Sequence, residues 1–164
     1  MSGRTLLISL RPRFAQAIYS GEKKFELRRT SPKGRVGRVF IYETAPVSAI
    51  TGFFEATSVR HRNKRQVWTE LGDHLSLQKS EFDEYLKDRE LAVTIGVGNP
   101  VRLGRPVHLQ EALGSPEAPQ SFRFLKAAEV TKILGCGFGS FQDRRNRFTR
   151  ISQRRIDVEI DAPS

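Results

Sequence analysis

The sequence predicts an α+β fold in which five or more short strands, with two to four short helices set among them, form a small barrel or a strongly bent sheet. Three observations carry this expectation. From Glu26 to Val59 the pattern reads as successive strands with no helical period, which a doubly wound parallel sheet does not permit. The helical patterns elsewhere are short and end at glycine. Eleven Phe, three Tyr and one Trp among 164 residues supply a core although the hydrophobic fraction is only 38%.

The elements follow in order. Thr5-Leu6-Leu7-Ile8-Ser9-Leu10 reads as a short buried strand. Pro12 suits the first turn of a helix whose apolar stripe is Phe14, Ala17 and Ile18, with Gly21 as its stop. Lys24 to Arg28 alternates, so Phe25 and Leu27 share one face and Lys24, Glu26 and Arg28 the other. Ser31 to Gly34 is a turn, and Val36 to Glu43, apolar on both faces, is a central strand. Ala49 to Val59 is a strand with Gly52 as a bulge or bend. Val67 to Leu71 is helical, and Ser80 to Leu86 is a helix capped by Ser80 with Asp83 in the capping-box position. Leu91 to Gly98 is a strand, and Arg102 to Leu109 is an extended stretch broken by Gly104 and Pro106. Leu125 to Leu134 is a helix ending at Gly135, and Gly135 to Ser140 is a flexible break. The division is therefore a domain over 1–134 and a basic extension over 135–164, with a last strand at 156–160.

Charge narrows the function. The formal net charge of +10 on so short a chain sustains a positive potential that attracts polyanions. Arg60, Arg62, Lys64 and Arg65 put four cations in six residues, and 143–155 sets six arginines, Arg144, Arg145 and Arg147 among them, against one acid. Guanidinium groups match phosphate bidentately and stack on bases, so RNA or a nucleotide is the expected partner, with DNA the other polyanion. A membrane is not expected, because no apolar run approaches the roughly 20 residues a crossing needs. The start of the chain lacks a cleavage-site pattern, so a cytoplasmic location is expected. A single cysteine and three histidines without ligand-pair spacing point to no metal and no cofactor.

One segment is more specific. Gly21-Glu22-Lys23-Lys24-Phe25-Glu26-Leu27-Arg28 contains Gly-x-Lys-x-x-Glu-x-Arg between a helix and a strand. It resembles the signature of the ASCH domain, a member of the PUA-like superfamily. The resemblance extends through Leu7 to Pro12, Val39 to Tyr42, Pro46-Val47 and Gly52 to Glu55, and Pro119 to Leu125 is similar to a segment of prokaryotic members. It implies a barrel of five to six mostly antiparallel strands and a cleft between the motif strand and the first helix that takes RNA or a nucleobase. It also implies a role in RNA metabolism, translation or transcription. The alternative it carries is a small hydrolase, cleaving RNA or deacylating an acylated cytidine.

The motif residues suit such a cleft on their own chemistry. Gly21 permits a tight turn, Lys23 sits in that turn free to swing over the cleft, Glu26 accepts from an exocyclic amine or orients Lys23, and Arg28 clamps a phosphate or stacks on a base. If the protein is an enzyme, Lys23 and Glu26 are its polar machinery. In deacylating members Thr stands where Glu26 does, which counts against that activity, and Glu70, Asp73 or Glu84 are the candidates for a further carboxylate. His61, in the basic run, is expected on a loop. Phe14 is expected in the core; Trp68, Tyr42 and Phe122 are the better candidates for stacking on a base, although packing is the expected role of each.

Overall fold

In the computed structural model, residues 3–139 are described. Their elements are β1 (Arg4–Leu10), α1 (Pro12–Ser20), β2 (Phe25–Arg28), β3 (Val36–Glu43), β4 (Ala49–Asn63), α2 (Lys64–Leu71), α3 (Lys79–Tyr85), β5 (Leu91–Val107), α4 (Leu109–Leu113), β6 (Phe122–Leu125) and α5 (Ala127–Phe138), with a 3₁₀ turn at Gly72–His74. The strands form one mixed sheet in the order β2-β5-β4-β3-β1-β6. Four ladders are antiparallel and β1 runs parallel to β3, with Leu6 opposite Val39 and Leu10 opposite Glu43.

The sheet is bent but does not close into a barrel, which corrects the closed form that the family resemblance implies. No ladder joins β2 to β6 among the described residues. A side chain crosses the seam instead. Arg28 on β2 donates from Nη2 to the Ser9 carbonyl at 3.1 Å and from Nη1 to the Ser121 carbonyl at 3.2 Å, so the two edges of the sheet are held by one guanidinium.

One face of the sheet buries Leu6, Ile8, Leu10, Val39, Ile41, Phe54 and Ile95 against Ala15 and Ile18 of α1. The other buries Leu7, Phe40, Ile50 and Val107 under α4 and α5. A third cluster joins Leu27 and Ala92 to Val67, Leu75, Phe82 and Leu86 of the α2–α3 segment. These alternate positions along each strand are the period-two pattern at work.

Several boundaries move. The basic run at 60–65 is the end of β4 and the start of α2, so His61 lies on a strand and not a loop. The 102–109 stretch is not a separate piece: β5 runs unbroken to Val107, absorbing its glycines and Pro106 where its pairing with β4 shifts register. The α3 cap lies earlier than Ser80, with the Glu81 carboxylate accepting the Gln78 N–H at 2.9 Å, because a glutamate has the reach that Asp83 lacks. Helix α5 starts after β6 and continues through Gly135 and Gly137 to Phe138, past the expected helix end at Leu134. A Cβ on Gly137 would lie 2.8 Å from Leu103 Cδ2, so that glycine lets the helix lie directly on β5. The expected strand at 156–160 and the arginine-rich 143–155 lie outside the described residues.

Candidate functional site

The turn after α1 sets the site. Gly21 is in the left-handed region at φ 83°, where its N–H closes on the Ile18 carbonyl at 3.1 Å. The chain then reverses so that the Lys23 N–H reaches the Ala17 carbonyl and the Lys24 N–H the His74 carbonyl, both at 2.9 Å. That turn drives the Lys23 side chain inward, to 2% exposure, and leaves Lys24 outside. Lys23 is therefore not free to swing: its ammonium donates to the Leu75 carbonyl at 2.7 Å and pairs with Glu26 Oε2 at 3.4 Å.

Glu26 and Arg28 project from the same face of β2, as the alternation requires, but that face is buried. They are 4% and 6% exposed. Glu26 Oε1 lies 3.1 Å from Arg28 Nε, close enough for an ion pair but without the alignment of a hydrogen bond. The outcome is one carboxylate between two buried cations, fixed by backbone carbonyls of three separate segments. Burial lowers the Lys23 pKa below its ordinary 10.5, and Glu26 offsets this in part.

These three side chains floor a pocket of about 160 Å³ whose walls include Ser9, Phe14, Leu77 and Tyr85, with the exposed Arg11 at its rim. The Phe14 ring centroid is 5.2 Å from Lys23 Nζ. Arg13 of α1 pairs with Glu81 of α3, which ties the helix carrying Phe14 to the helix ending at Tyr85. Tyr85 has its pKa raised by burial, so its hydroxyl stays protonated across the physiological range. The Pro119–Ser121 segment lies alongside: Ser9 Oγ donates to the Pro119 carbonyl at 2.6 Å, and the Ser9 N–H reaches the Ser121 carbonyl at 3.3 Å.

The remaining expected residues are placed elsewhere. Arg60 and Arg65 are exposed, Arg62 pairs with Glu70 at 2.6 Å, and Lys64 donates to the Leu86 carbonyl at 3.2 Å. None of them lines the pocket, nor does Gly21 or Lys24. Arg144, Arg145 and Arg147 lie outside the described residues. Glu70 is taken by Arg62, Glu84 pairs with Lys87, Asp73 is exposed, and none of the three reaches the pocket.

The three stacking candidates take the packing roles expected of them, whereas Phe14 faces the pocket. Trp68 packs on Phe82 at 5.0 Å between centroids, Tyr42 is buried under α4 and α5, and Phe122 packs against the α1-side core. The rings that face the pocket are Phe14 and Tyr85. Phe14 shares the apolar stripe of α1, so its spacing alone assigns it to the core. Tyr85 lies between the buried Phe82 and Leu86, where only its phenol marks it out. The Leu75 carbonyl carries no sequence signal at all.

The fold and the sequence have known relatives. The ASCH domain model matches residues 8–101. An ASCH domain-containing ribonuclease of Zymomonas mobilis is 30% identical over 131 residues, covering 78% of this chain and 88% of that protein. The large ribosomal subunit protein uL22 of Ureaplasma parvum is 27% identical over 123 residues; these are 74% of this chain but only 39% of that protein. The crystal structure of ASCH from Zymomonas mobilis is similar at a TM-score of 0.76 with 29% identity, over 80% of this chain and 94% of that one. With the domain match spanning residues 8–101, the 30% identity to the Zymomonas mobilis relative and the shared fold, the chain belongs to the ASCH domain family.

Proposed function

We propose that this protein binds single-stranded RNA and seats one group of it, a base or a phosphate, in the pocket floored by Lys23, Glu26 and Arg28. The observation that carries the reading is the burial of two cations and one carboxylate beneath two aromatic side chains at the floor of an open pocket. Burying such groups costs free energy that packing does not return, so the arrangement suits a polar ligand better than stability alone. Its excess of one positive charge fits a phosphate. For a base, Glu26 accepts from an amino group, Lys23 donates to a ring nitrogen or carbonyl, and Phe14 and Tyr85 offer faces for stacking. The pocket is smaller than the roughly 300–1,000 Å³ typical for drug-sized ligands, which limits it to one such group.

A second reading is favoured by the lowered pKa of Lys23 and by the name of the Zymomonas mobilis relative. Here the neutral Lys23 amine takes the proton of a ribose 2′-hydroxyl as that oxygen bonds to phosphorus. The bond from phosphorus to the 5′-oxygen breaks, and the leaving oxygen takes a proton from water. The products are a 2′,3′-cyclic phosphate and a 5′-hydroxyl end.

Mass spectrometry separates the readings when the full chain is incubated with single-stranded RNA and with acetylated cytidine, divalent metal present or chelated. Lys23→Ala is expected to keep most polyanion affinity and lose ligand selectivity and any turnover. Lys23→Arg stays protonated, so it should bind without cleaving, whereas wild-type cleavage rises with pH toward the Lys23 pKa. Absence of any product removes the hydrolase reading. Absence of RNA binding at low salt removes both.

A further inference from the structure

Far from the pocket, a second hollow of about 760 Å³ opens beside the start of β1 and β3 and the middle of β4. Its shape follows from unequal strand lengths. β3 pairs with β4 from Ala49 to Glu55, whereas β5 pairs with β4 as far as Asn63. Beyond Glu55 the β3-side edge of β4 therefore has no strand beside it among the described residues, and the turn at Gly34 faces it across a groove. The ladder shifts register between Ala56 and Ser58, an irregularity of the kind that re-aims side chains. Thr57 and Ser58 both line the groove, with their hydroxyl oxygens set against Gly96 of β5.

Its charge is lopsided. Arg35 is exposed, and the half-buried Arg38 sets its guanidinium over the Phe53 ring at 4.6 Å; neither has an ion-pair partner among the described residues. The one acid lining the groove, Glu55, already accepts from Asn99 Nδ2 at 3.0 Å. The exposed Arg35 guanidinium, the Arg38 guanidinium stacked on Phe53 and an unpaired backbone edge make donors for a chain of phosphates rather than for a peptide, whose recognition would ask for apolar side-chain pockets.

We propose that this groove holds the sugar–phosphate backbone of the RNA strand whose terminal or extruded group enters the Lys23 pocket; the inference rests on the RNA reading above. The groove takes in Gly3 and Thr5 at the start of β1 and the pocket takes in Ser9 and Leu10 at its end, so from Thr5 to Ser9 the two are separated by roughly 13 Å of strand. A dinucleotide fills one site at most, and a longer strand spans both.

The test is the salt dependence of full-length protein binding to single-stranded RNA, in a length series from dinucleotide to dodecamer. The double variant Arg35→Gln/Arg38→Gln should reduce the slope of log affinity against log salt by about 1.4, two contacts at about 0.7 each. Arg89→Gln/Lys132→Gln, equal in charge but away from the groove, should change the slope much less, and Lys23→Ala should lower it by no more than about 0.7, the one contact a phosphate in the pocket makes. Thr57→Glu, at an exposed position, should weaken long strands and leave the dinucleotide unaffected. An equal fall in slope for both double variants, or no fall in either, overturns the groove and leaves the pocket standing. A wild-type protein that binds no RNA overturns both.

Discussion

Lys23 is a cation held where water scarcely reaches, and its free energy therefore depends on pH in a definite sense. Its folded pKa lies below 10.5, so between that lowered value and 10.5 the unfolded chain holds a proton that the folded chain has released. Stability must climb with pH through that window. Urea unfolding across alkaline pH should show the climb in wild type and lose it in Lys23→Met. Glu26 is the counter-charge to both neighbours, and Glu26→Gln strands two buried cations. A loss of about 3–5 kcal/mol in unfolding free energy is expected; a loss below about 1 kcal/mol would mean that water solvates the site. The identity of these residues was legible in the sequence, since the motif spacing puts 26 and 28 on one strand face. Their burial was not. Alternation says which side chains share a face; that this face is covered is decided by Ser9 and Phe14 and by segments far along the chain, Leu75 to Tyr85 and Ser121.

At the scale of elements, short-range signals were reliable where one residue governs the geometry. Pro12 and Gly21 bound α1 as expected, and Val36 to Glu43 forms β3 without change. They failed where tertiary contact overrides a breaker. The glycines at 135 and 137 read as the end of a helix, yet α5 passes through both because Gly137 lies against Leu103. The two glycines should consequently respond in opposite directions. A Cβ at Gly135 would meet nothing within 4 Å, so Gly135→Ala should stabilise by about 0.5–1 kcal/mol through helix propensity. Gly137→Ala pushes a methyl onto Leu103 and should destabilise by about 1–3 kcal/mol. Thermal melts of the two variants check this, and stabilisation by both would show that α5 does not press on β5. The same lesson applies to β5, where Gly104 and Pro106 look like an end and act as irregularities within a long strand.

For the molecule as a whole, the bent sheet was legible in the run of strands from Glu26 to Val59, but its closure was not. Whether a sheet rolls into a barrel depends on whether its first and last edges meet backbone to backbone, and the sequence contains no local trace of that. Here the edges meet through Arg28, which both holds the seam and floors the pocket. The positive charge, so plain in composition, is divided differently from its appearance along the chain: Arg62 and Lys64 are taken up by Glu70 and the Leu86 carbonyl, while Arg35 and Arg38, in no conspicuous run, are left open beside a groove. The central claim is that RNA enters the pocket rather than only coating the surface. Nuclear magnetic resonance of the Lys23 amine and the Phe14 and Tyr85 rings during titration with single-stranded RNA tests it most directly. These three signals should shift together and saturate with the same affinity as overall binding; binding that saturates while all three stay unmoved would contradict the account.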